Sequence, residues 1–258
     1  RFDFLNKPST DKKKKSKTKR GSEVKSSPFG TSESGLIYVK PIILDVTNKE
    51  HISNLVRYLK ENNIKIDILI NNAGVALLGP LVEIDEGLLE KQFNINVLGV
   101  FRMTKALFPF LRETKGRIIN IGSTSGLHAY PFEGPYAMSK HALEAYSDSS
   151  RREISSFGVK VILIEPSKVK TEIWSKSEEA FEALKNSEFK DKAERLLRKS
   201  LVDNEKKGLE SDKVGDMIYK IAMSKDPNPR YLLSKHRFLS WLTNAIPDRW
   251  MDKLVEKY

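Results

Sequence analysis

Residues 117–140 read Arg-Ile-Ile-Asn-Ile-Gly-Ser-Thr-Ser-Gly-Leu-His-Ala-Tyr-Pro-Phe-Glu-Gly-Pro-Tyr-Ala-Met-Ser-Lys, and this stretch decides the fold. It begins with a short, isoleucine-rich run, Arg117 to Ile121, that is nearly continuous in apolarity, as a strand covered on both faces requires. Gly122 to Gly126 then turn the chain, and Pro135, suited to the first turn of a helix, precedes a helical stretch from Tyr136 to Phe157. Strand, small polar turn and long helix are the repeating unit of a parallel sheet with crossover helices. The alternation recurs outward. Pro41 to Leu44, Ile66 to Ile70 and Val159 to Ile164 read as further interior strands, and Glu50 to Asn62 and Asp85 to Arg112 as helices with apolar residues three and four apart. Beyond them come a polar helical stretch from Ser175 to Lys207, a helix near Ser211 to Met223, a short strand at Arg230 to Leu233, and an amphipathic tail with Trp241 and Trp250. The pattern predicts an α/β fold with a doubly wound parallel sheet.

The chain has 258 residues, 39% of them apolar, enough for one α/β domain with a full core. It has no cysteine, which excludes disulfides, thiol nucleophiles and cysteine-bound zinc and fits an intracellular, cytoplasmic setting. The net charge of +11 raises the question of nucleic acid, so its location matters more than its sum. Residues 1–35 hold ten Lys or Arg against four acids and hardly an aliphatic side chain, so they read as a flexible Lys/Ser-rich segment or inserted loop. A solvated basic loop is the plainer reading of that segment, and nucleic acid is not the expected partner. Residues 36–258 read as the folded domain. No run reaches the ~20 apolar residues of a membrane helix, which leaves only peripheral membrane contact open. The first residue is Arg1, so the chain is expected to be a processed or truncated piece of something longer.

Tyr136 and Lys140 lie four apart, on one helical face. A free tyrosine, with a pKa near ~10, is a poor acid or base at neutral pH, and a nearby ammonium favours its phenolate. The pair can therefore act as an acid/base unit, although a packed Tyr beside a solvated Lys is the plainer reading of the spacing alone. Ser123 follows the end of a strand, where an open α/β sheet has its ligand crevice, and Asn71, Asn72, Ala73 and Gly74 follow another. Turn-forming or capping roles for Ser123 and Ser125, and a helix-bending role for Asn96, are the structural alternatives.

These residues, in this order and spacing, resemble the short-chain dehydrogenases/reductases: Asn-Asn-Ala-Gly at 71–74, Asn96 in Asn-Val-Leu-Gly, Ser123, and Tyr-x-x-x-Lys at 136–140. The resemblance runs from about Ile42 to the C-terminus and implies a Rossmann-like sheet and an NAD(P)-dependent alcohol/carbonyl oxidoreductase. It implies that Tyr136 moves the proton at the substrate oxygen and that Ser123 hydrogen-bonds that oxygen. Lys140 would hold the nicotinamide ribose and lower the tyrosine pKa, and Asn96 would anchor a water linking Lys140 to solvent. Asp45 with Val46 matches the family position that meets adenine, with a helix N-cap as its alternative. Asn72, Ala73 and Gly74, and Pro166, Val169 and Thr171 of the loop beneath the nicotinamide, complete the implied cofactor contacts. Ser167 stands where the family has glycine, so a positive φ there would strain the loop. Leu143 to Arg152 and Tyr130-Pro-Phe are similar to the retinol, 17β-hydroxysteroid and 3-hydroxybutyrate dehydrogenase branch, which implies a lipophilic substrate. A helical lid at about 174–207 would carry Phe181, Leu184, Phe189, Leu196 and Leu197 inward. Family practice also implies a homodimer or tetramer through the Asp85 and Tyr136 helices.

The glycine-rich turn that cradles pyrophosphate is not found, since Gly21, Gly30 and Gly35 precede a strand and follow none. The first βαβ portion is therefore expected to be lacking, with a bare sheet edge, weak cofactor binding and no readable choice between NAD and NADP. A truncated or non-catalytic dehydrogenase-like binding protein with a basic tail stays open as an alternative. A serine hydrolase does not fit, because Thr124 and not serine is central in Gly122–Gly126. His51, His128, His141 and His236 are scattered, so no catalytic metal is expected.

Overall fold

The structure, a computed structural model, describes residues 39–171, 173, 181, 184–235 and 246–256. The basic segment 1–35, Trp174, Trp241 and much of the segment 174–183 lie outside the described residues, and Ile42–Tyr258 form one unit. In chain order the elements are α1 (Lys49–Glu61), β1 (Ile68–Asn71), α2 (Glu86–Phe93), a π-helical turn (Asn94–Gly99), α3 (Val100–Thr114), β2 (Arg117–Ile121), α4 (Gly134–Ile154), β3 (Lys160–Pro166), β4 (Val169–Lys170), α5 (Lys190–Lys207), β5 (Leu209–Glu210), α6 (Ser211–Met223), β6 (Arg230–Leu233) and α7 (Asp248–Glu256).

The main sheet runs β1-β2-β3-β6, every pair parallel, with Ile119 opposite Ile70 and Ile162. Successive side chains of a strand face opposite sides, so each apolar run feeds two cores. Ile118 and Val161 pack with Ile52 and Leu59 of α1 and Met103, Leu107 and Leu111 of α3. Ile119, Ile162 and Ile164 pack with Val214, Ile221 and Ala222 of α6. This burial on both faces is what the absence of alternation in the runs foretold.

Two readings are corrected. Pro41 to Leu44 is not a strand: Ile43 is 95% exposed, and no described strand lies beside it to form a ladder. Leu44 and Val46 only lean on the core below α1 and α3. The helix read as continuous from Asp85 to Arg112 is instead α2 and α3 joined by the π-helical turn. Such turns gather at functional sites, and this one carries Asn96.

Candidate active site

Asparagines at strand ends establish the frame of the site. Asn71 Nδ2 donates to Asn120 Oδ1 at 2.8 Å and to Thr104 Oγ1 at 3.3 Å, and Asn120 Nδ2 donates to Ser147 Oγ at 2.9 Å. Fully buried amides must be satisfied, so this chain ties β1 and β2 to α3 and α4 in one register. Asn96, 1% exposed, spends its amide on the Val75 backbone: its Oδ1 accepts from Val75 N at 2.9 Å and its Nδ2 donates to Val75 O at 2.8 Å. The same nitrogen donates to Ser139 Oγ at 3.0 Å, which joins the loop after β1 to α4. Gln92 does the same one turn earlier, accepting from Leu77 N and donating to Pro135 O, each at 2.6 Å.

On this frame stand Tyr136 and Lys140 of α4 and Ser123 of the turn after β2. Both α4 residues are buried, and Lys140 Nζ lies 5.6 Å from the Tyr136 ring centre and donates to Ile121 O at 2.8 Å. Burial pushes the Tyr136 hydroxyl up to about 12; its hydrogen bond with Ser123 pulls the other way, and the Glu133 charge adds to the rise. Burial likewise brings Lys140 down to about 8, with Glu144 opposing. The net shift of Tyr136 is upward because desolvation of the phenolate is the largest effect on it.

Behind Lys140 lies an ionic cluster. Arg230 of β6 binds Glu144 of α4, Glu165 of β3 at 2.5 Å, and Asp148 of α4 at 3.4 Å. Glu165 is 1% exposed, and Glu144 Oε1 is buried with no hydrogen-bond partner. Burial and the neighbouring Glu165 raise Glu144 to about 7. Glu165, a lone charge closing the apolar run of β3, was the available signal for this cluster; Gln92 and Glu133 gave none.

Ser123, Tyr136 and Lys140 line a cleft of about 820 Å³, together with Asn72, Gly74, Pro166, Val169 and Thr171. Asp45, Val46, Ala73 and Asn96 do not line it. Asp45 is exposed and accepts from Thr47 N and Thr47 Oγ1 at 2.8 and 2.7 Å, while Val46 packs against Gly99. Asp45 does not cap α1 either; Asn48 does, accepting from Glu50 N and His51 N. Ser167 needs no left-handed backbone, for the non-glycine residues with positive φ are Asn63, Lys115 and Phe132 among those described. Of the side chains assigned to the inner face of 174–207, Leu196 lines the cleft, and Leu184 and Leu197 are buried with Leu78, with Phe181 packed against them. Phe189, 38% exposed, stacks edge-on with Phe132.

The residues fit the nicotinamide ribose. The Lys140 ammonium has three donors and one carbonyl acceptor, Ile121 O, among the described residues, which leaves donors for ribose hydroxyls. Residues 30–182 match the sequence profile described as short chain dehydrogenase.

The chain belongs to the short-chain dehydrogenase family.

Membership makes it an oxidoreductase that works with NAD or NADP. It is 35% identical to the NADPH-dependent 3-dehydrocapnine reductase of Ornithobacterium rhinotracheale over 74% of this chain and 70% of the relative. It is 33% identical to the 3-ketodihydrosphingosine reductase of Bacteroides thetaiotaomicron over 73% and 70%, and 39% identical to human retinol dehydrogenase 16 over 54% and 44%. A short-chain dehydrogenase from Burkholderia cenocepacia in complex with NADP shares the fold at a TM-score of 0.64 and 20% identity, covering 83% of this chain and 80% of that one.

Proposed function

We propose that this short-chain dehydrogenase reduces a lipophilic ketone or aldehyde, and reoxidises the alcohol, with Tyr136 as the acid/base. The observation that carries the reading is that buried Tyr136 and Lys140 and half-buried Ser123 line one cleft together. The nicotinamide, when bound, supplies or accepts the hydride. A tyrosine held neutral by burial is a proton donor at rest, which suits the carbonyl-reducing direction. As Tyr136 passes its proton to the substrate oxygen, Ser123 keeps the hydroxyl in line and the Lys140 ammonium offsets the phenolate charge left behind. Asn96, with its amide bound to Val75 and Ser139, acts as a positioning residue and not through the substrate.

Val169 and Thr171 would meet the nicotinamide carboxamide, with Pro166 in the loop beneath the ring; Asn72, Ala73 and Gly74 would add cofactor contacts, and Asp45 and Val46 remain candidates for adenine. Leu127, Ile173, Leu196 and Ile218 give the cleft the apolar wall that a lipophilic substrate would need. Relatives named as a 3-ketodihydrosphingosine reductase and a retinol dehydrogenase support a lipophilic substrate. No described helix is long and apolar enough to cross a membrane. Oxidation of NADH and NADPH is measured against a panel of long-chain ketones and aldehydes. Tyr136→Phe should lower kcat/KM by about 10²–10⁴, the range for loss of a general acid. Full activity in that variant overturns the assignment.

A further inference from the structure

The cleft holds a carboxylate that the reaction does not use. Glu133 occupies the N-cap of α4, where a side chain could accept from free helical N–H groups, yet it makes no capping bond. It lines the cleft and accepts a hydrogen bond from Ser200 Oγ of α5 at 3.1 Å. The turn that delivers it passes through Phe132 at φ 65°, a left-handed conformation that bulky residues rarely adopt. Glu133 lies close enough to the phenols of Tyr130 and Tyr136 that its charge raises both.

The charge of Lys168 reaches Glu133, but the ammonium itself is engaged elsewhere. Lys168 Nζ lies 4.0 Å from Asp203 and donates to Ser200 O at 3.4 Å, and no ion pair joins Glu133 to a basic side chain among the described residues. Burial holds the Glu133 carboxyl above its ordinary range. A carboxylate taken partly out of water with one neutral donor is poorly compensated, and beside Tyr136 it opposes formation of the phenolate. A cation brought in by the substrate removes both penalties at once.

We propose that Glu133 recognises an ammonium group carried near the reacting carbonyl, so that the substrate class is a lipophilic amino ketone, or the amino alcohol in the reverse direction. The proposal rests on Tyr136 being the proton donor at this cleft. The ammonium sits between Glu133 and Ser200, the carbonyl oxygen meets Tyr136 and Ser123, and the alkyl remainder follows the apolar wall. Glu133 is then a specificity residue: proton transfer from Tyr136 does not require it, and its uncompensated charge only hinders that transfer.

The test compares a long-chain α-amino ketone with the ketone of equal length lacking the amine, using wild type, Glu133→Gln, Ser200→Ala and Tyr136→Phe. Wild type should prefer the amino ketone. Glu133→Gln should lose roughly ten- to a hundredfold in kcat/KM on it, as for loss of one charge-assisted hydrogen bond, and turn over the plain ketone at least as fast as wild type, since the charge opposing the phenolate is gone. Ser200→Ala should lose less in the same direction. Equal loss on both ketones from Glu133→Gln, or no preference in wild type, overturns the proposal and leaves Glu133 as a latch for α5. If Tyr136→Phe retains activity, the underlying reading fails instead. A binding measurement needs no turnover: calorimetry with a long-chain alkylammonium should show affinity for wild type that Glu133→Gln weakens at least about tenfold, and equal affinity for both proteins overturns the proposal.

Discussion

At the scale of single residues, a tyrosine and a lysine four apart behave differently once buried. Lys140, brought down to about 8 by desolvation, is charged at neutral pH and loses its proton just above it. Tyr136, pushed up to about 12, keeps its own throughout that range. Carbonyl reduction needs the neutral phenol and the ammonium together, so its kcat/KM should hold below pH 8 and fall as pH rises through about 8. A pH–rate profile for NAD(P)H oxidation by the wild type checks this, and in Lys140→Met the falling limb should vanish along with a loss of about 10²-fold in rate. The same limb persisting in Lys140→Met would assign it to another group. Spacing alone made the pair visible in the sequence; the direction of the tyrosine shift was not visible, because it depends on how much water the fold removes and only secondarily on the neighbouring charge.

At the scale of elements, the ends of strands and helices carry most of the information. The runs in β1, β2 and β3 were legible because burial on both faces suppresses alternation, and Pro135 marked the start of α4. Pro41 to Leu44 has the same composition but no partner among the described residues, and pairing is a property of two segments that one segment cannot announce. The π-helical turn was likewise hidden, since it arises where Asn96 reaches across to Val75 and Ser139. Asn48, not Asp45, caps α1, so Asn48→Ala should lower unfolding free energy by about 1 kcal/mol in a urea titration, and Asp45→Ala by clearly less. The cluster joining α4, β3 and β6 has a pH signature. Glu144 sits at about 7 against an ordinary 4.5, so the folded state binds the extra proton between those values. Its stabilising contribution is therefore present below about 4.5 and lost as pH rises through about 7. Glu144→Gln removes the penalty and leaves Arg230 with Glu165 and Asp148, so the variant's Tm should exceed wild type at pH 8 by more than at pH 5. A gap that narrows at pH 8 would show that the ion pair with Arg230 outweighs the burial of Glu144.

At the scale of the whole molecule, the helices beside the site leave an apolar face uncovered. On the π-helical turn and α3, Leu98 and Phe101 are 46% and 45% exposed, and on α4 Met138 is 43% exposed in line with His141 and Ala145. That stripe of α4 contains no Lys, Arg, Asp or Glu, although its sequence neighbours include Lys, Glu and Asp. Single exposed apolar side chains are ordinary, but here they stand on α4 and on the π-helical turn packed against it, with Phe101 just beyond that turn, which suits an interaction surface. A second copy of the chain is the simplest cover, since the same face on both copies is self-complementary about a twofold axis. Phe101→Arg and Met138→Arg each put a charge that cannot be paired across such a contact, so the wild type should sediment as a dimer or tetramer and the double variant as a monomer at the same concentration. The site would feel the change indirectly: α4 also positions Tyr136 and Lys140, so loss of the partner should lower kcat more than it raises KM. Sedimentation of the double variant unchanged from wild type would mean that this face is not where copies meet.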